Sequence, residues 1–120
     1  MSYEFYKVIH LLGIAGVLLP LGAMAQHAIA GGTKATLGNR KALLILHGIS
    51  MLLIFVAGFG LIARTGVGFP GWIYAKIVIW LIFGGAVAVA LRKPALARSL
   101  FYVLPILVAI ATYLVNTRPF

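Results

Sequence analysis

Three histidines, one lysine and two methionines interrupt otherwise apolar stretches, and they carry almost all the chemistry this chain can offer: His10, His27, His47, Lys76, Met24 and Met51. An ionisable side chain in an apolar layer is costly, so each is a candidate for binding or proton and electron handling. Neutral imidazole is an axial ligand for haem iron and a ligand for copper, and thioether sulfur suits soft Cu(I). A lysine desolvated by its surroundings can be held neutral. The pairs His47–Met51 and Met24–His27 are spaced for one helical face, which gives copper handling a place among the readings. The absence of cysteine removes thiolate sites, disulfides and a cysteine nucleophile.

Those residues sit in a chain of 120 residues that is 63% hydrophobic and has ten basic residues against one acid, Glu4. No soluble domain of this size hides so much apolar surface. The pattern predicts an all-α integral membrane protein, a four-helix antiparallel bundle forming a single domain, with helices over about 3–30, 42–63, 72–91 and 99–115. Glycine-rich and basic stretches separate the runs: 30–41, 64–71 and 92–98. The Ala23-Met24-Ala25-Gln26 segment has the small-x-small character of a signal-peptidase site. The aromatic, barely charged leading residues argue instead for a retained membrane helix. The net charge of +9 lies in short loops, where it meets lipid headgroups rather than nucleic acid. Lys34, Arg40, Lys41, Arg92, Lys93 and Arg98 fall on one side, and Lys7, Arg64 and Arg118 on the other. This bias predicts a bacterial-type inner (plasma) membrane protein with both termini outside the cytoplasm.

Depth groups the candidates into two sites. At ~1.5 Å per residue, His10 lies roughly 10 Å and Lys76 roughly 6 Å from the outer ends of their helices. His47 lies roughly 8 Å from the inner end of its helix, with His27 near the inner end of the first. An outer site would pair His10 with Lys76, whose helical face carries Trp72 and Phe83, with Trp80 nearby. An inner site would bring His27 and His47 to one ligand, with Met24 and Met51 a turn deeper. Gly13 shares a face with His10 and Gly58 with His47, leaving hollows suited to a flat ligand such as a porphyrin.

Lys7-Val8-Ile9-His10 and Gly71-Trp72-Ile73-Tyr74-Ala75-Lys76 resemble the openings of the first and third membrane helices of HemJ-type protoporphyrinogen oxidases. The SirB-like and CopD-like small membrane families have a similar layout. The resemblance implies a haem-associated four-helix membrane protein, with His10 and Lys76 matching the family's characteristic histidine and lysine. The function expected is haem b binding in electron transfer or porphyrin redox chemistry. The alternatives are a non-enzymatic accessory subunit of a larger membrane complex, or a homo-oligomer, in which the histidines only pack, and copper handling.

Overall fold

The computed structural model describes residues 2–120 and contains four helices: α1 (Tyr3–Ile29), α2 (Arg40–Thr65), α3 (Gly71–Arg92) and α4 (Pro94–Thr117). Among the described residues there is no strand. Each helix has an 18-residue stretch of mean hydropathy between 1.9 and 2.4. Lengths of 22 to 27 residues correspond to roughly 33–40 Å, more than the ~30 Å of bilayer hydrocarbon.

Local chemistry sets the boundaries. Ser2 caps α1, its Oγ accepting from the Phe5 amide at 3.1 Å. Gly66, at φ 67°, closes α2 in the left-handed conformation that glycine adopts without steric cost. The expected connection over 92–98 is corrected by the structure: Lys93 alone separates α3 from α4. Pro94 occupies the first helical turn, where its missing N–H costs nothing, and it holds Lys93 in an extended conformation (φ −130°, ψ 91°). Ala95, Leu96 and Ala97 then continue as good helix formers. Arg98 therefore lies on α4 itself, next to the fully enclosed Ala97.

The helix α1 is the centre of the molecule. It packs along α2, and also touches α4 and α3, while α3 packs on α4 and the backbones of α2 and α4 stay apart. Along the α1–α2 seam, Tyr6 lies over Gly60, His10 meets Ile54 and Gly58, Gly13 meets Ile54 and Ser50, and Gly16 lies on Ser50. Positions thus rise along α1 as they fall along α2. Small residues make this approach possible: a Cβ at Gly13 would stand 3.0 Å from both the Ile54 amide nitrogen and the Ser50 carbonyl oxygen. Val17, Leu21 and Ala25, spaced by four on the inner face of α1, are essentially sealed from the exterior.

The contact of α2 with α3 is looser and is made by long side chains. The Trp80 indole donates to the Met51 carbonyl at 3.0 Å. Met51 reaches across to Gly84, and the Phe55 and Trp80 rings lie 5.0 Å apart. Outward faces carry large apolar residues such as Leu12, Leu19, Leu52, Ile106 and Tyr102. The exterior is thus as apolar as the interior, the pattern of a helix surrounded on all sides by hydrocarbon or protein.

Candidate functional site

His10 lies on the face of α1 that meets α2. Its Nδ1–H donates to the Ile54 carbonyl at 3.0 Å, a half-buried contact between the two helices. Gly58 makes room for the ring, since a Cβ there would come within 3.3 Å of the His10 Cε1. The companion of this hollow is therefore His10, whereas the sequence placed Gly58 on the face of His47. With Nδ1 committed as a donor, Nε2 keeps its lone pair, and no hydrogen bond to it is made among the described residues. Lys76 lies on α3 and is half-buried. Its ammonium has no hydrogen-bond partner among the described residues.

The inner residues are arranged differently. His47 is buried, with 5% of its surface exposed, and its Nε2–H donates to the Phe83 carbonyl on α3 at 3.1 Å. His27 turns into its own loop, where Nε2 lies 2.9 Å from the Thr33 carbonyl oxygen and 3.0 Å from the Thr36 hydroxyl. Gly32 sits under that ring, where any Cβ would collide with it. Met24 and His27 line one small hollow together with Ala28, Leu37 and Ala90, and neither His47 nor Met51 borders it. Met51 instead faces Gly84. Each histidine of the inner set thus has its own partner, and the two methionines serve different contacts. Among the described residues, no three histidine or acidic side chains gather as metal ligands do.

Polar groups that the sequence left unremarked complete these contacts. Ser50, only 3% exposed, sits one turn beyond His47 and against Gly16. Its signal was a hydroxyl inside an apolar run. The Ile54, Phe83 and Met51 carbonyls act as acceptors for His10, His47 and Trp80. No residue type announces them, because any residue carries a carbonyl.

Haem b is the cofactor the sequence resemblance implies, and the donor set can be tested against it. An axial histidine holds one ring nitrogen as a donor to a carbonyl and offers the other to iron. His10 has this arrangement with Nε2 free, the nitrogen farther from the backbone. His47 and His27 have Nε2 occupied. The hollow beside His27 has a volume of ≈ 10 Å³, about the least that admits one water. The donor chemistry fits at His10.

The chain matches no family model, no curated protein and no solved structure. The fold and the site define a multi-pass helical protein, with four helices able to cross a membrane and polar side chains tying them together.

Proposed function

We propose that the four helices cross a bacterial-type plasma membrane as an antiparallel bundle, and that the protein binds haem b through His10 for electron transfer or porphyrin redox chemistry. The observation that carries the haem reading is the His10 tautomer: Nδ1–H held by the Ile54 carbonyl, Nε2 left with a lone pair. Such a bond orients the ring and raises the basicity of the free nitrogen. Lys76 offers a cation in the same half of the membrane. With Glu4 the sole acidic residue of the chain, that charge suits a propionate. Haem so held would supply a one-electron couple, with the protein setting ligand, charge and dielectric. The short HemJ-like segments around His10 and Lys76 favour the same reading.

The absorption spectrum of the purified protein tests it. Wild type should show a Soret band at close to one haem per chain, and His10→Ala should lose it while keeping its helicity. A colourless wild type, or a variant with an unchanged spectrum, refutes haem ligation by His10.

One observation favours a second reading, an accessory subunit of a larger membrane complex. His10, His27 and His47 all bond backbone carbonyls, so the rings can act as ties between elements without any cofactor. Copper handling has weaker support, because the Met24–His27 and Met51–His47 pairs do not border a common hollow.

A further inference from the structure

The end of the molecule that carries the first loop and the α3–α4 turn holds six cations, Lys34, Arg40, Lys41, Arg92, Lys93 and Arg98, and no acid. Glu4, the single carboxylate side chain, lies at the start of α1, at the opposite end. These cations are not spread evenly over a featureless surface. Where the first loop enters α2, a groove of ≈ 470 Å³ is lined by Arg40 and Lys41 together with Ala35, Leu37, Leu44 and Ile45. Arg40 is oriented at its edge, its guanidinium donating to the Lys34 carbonyl at 3.3 Å. Leu44 and Ile45, one turn further along α2, are 36% and 50% exposed. The groove thus presents two cations beside an open apolar wall.

We propose that this groove is a binding site for the headgroup of an anionic phospholipid, the phosphate lying between Arg40 and Lys41 and the start of an acyl chain lying on Leu44 and Ile45. The proposal rests on the membrane reading above, and is independent of haem. Charge complementarity selects the occupant. Guanidinium and ammonium both bind phosphate oxygens strongly, and no acid of the protein competes for them. The apolar wall distinguishes a lipid from a free phosphate, which would leave Leu44 and Ile45 unused. The site also explains how a concentration of positive charge at one end is held without internal ion pairs, since the negative surface potential of the leaflet supplies the counter-charge.

Native mass spectrometry of the full chain, released from nanodiscs containing phosphatidylglycerol and phosphatidylcholine in equal amounts, provides the test. Insertion into the nanodisc is checked first, so that failure of the membrane reading shows itself separately. Wild type should retain phosphatidylglycerol preferentially. The Arg40→Gln/Lys41→Gln double variant should lose roughly thirty-fold in retention, from about 1 kcal/mol per cation near the surface. Arg64→Gln/Arg118→Gln, at the opposite end, should retain lipid as wild type does. Arg40→Lys/Lys41→Arg should restore most of the binding. Equal retention of the two lipids by wild type, or no loss in the Gln/Gln variant, overturns the site. Displacement of the lipid by millimolar glycerol phosphate also overturns it, because the ligand would then be a free phosphate. Equal wild-type retention overturns the site even if the double variant does not insert.

Discussion

Replacement of Gly13 by alanine isolates the contact on which the α1–α2 pair depends. A Cβ at this position meets the Ile54 Cγ1 at 2.7 Å, and meets the Ile54 nitrogen and the Ser50 carbonyl oxygen at 3.0 Å each. The first neighbour is a side-chain atom and can swing away. The other two are backbone atoms of α2 and can yield only if the helices separate by several tenths of an ångström. Overpacking of this kind costs about 1–3 kcal/mol. The same separation stretches the bond from His10 to the Ile54 carbonyl, now 3.0 Å, towards the limit of a useful hydrogen bond, which removes about 0.6 kcal/mol more on the membrane scale. The expected loss relative to the same substitution at an uncrowded position of α1 is therefore about 2–4 kcal/mol. Gly22→Ala is the matched control, on the same helix but with nothing within 4 Å of the added methyl. It should be neutral or slightly stabilising, by up to about 1 kcal/mol of helix propensity. Unfolding in mixed micelles with rising sodium dodecyl sulfate, followed by far-ultraviolet circular dichroism, measures both. If the two variants fall within about 0.5 kcal/mol of each other, the close approach of α1 to α2 does not limit stability and the packing argument fails.

His47→Ala should destabilise the bundle by about 1–3 kcal/mol, from the lost bond to the Phe83 carbonyl and the void left behind; the same unfolding assay reads it, and no change would mean that the α2–α3 tie is unimportant. Gly84→Ala should cost less than about 1 kcal/mol, although its Cβ would stand 3.0 Å from the Met51 Cε, because an unbranched methionine end can move aside; a loss as large as that of Gly13→Ala would show that Met51 is rigidly held. Reporter fusions at Phe120 and within the Lys34–Lys41 loop should give opposite signals, with the loop in the cytoplasm; matching signals would refute the charge-based orientation.

Composition and run length were enough to read the class of this protein. Apolar stretches of this length and number have few stable solutions other than helices, since every backbone polar group in them must be satisfied within the segment. The centres of all four helices, and the basic loop between α1 and α2, were legible for that reason. The start of α4 was not, because a cluster of Arg92, Lys93 and Arg98 reads as a loop until Pro94 is seen to be seated at a helical first turn. Depth along each helix was also legible, which is why His10 and Lys76 were grouped. Rotation about each helix axis was not. Met24, His27, His47 and Met51 share a depth range, yet His27 closes its own loop, Met24 lines a separate hollow and His47 and Met51 face α3. In a helix that is apolar all round, no polar face marks the outside, so sequence periodicity leaves the rotation undetermined. Only the meeting of the helices decides it. Here the close fit of Gly13 and Gly16 against Ser50 and Ile54 sets the α1–α2 register, and the carbonyls of Ile54 and Phe83 then determine which nitrogen of each buried histidine is left free.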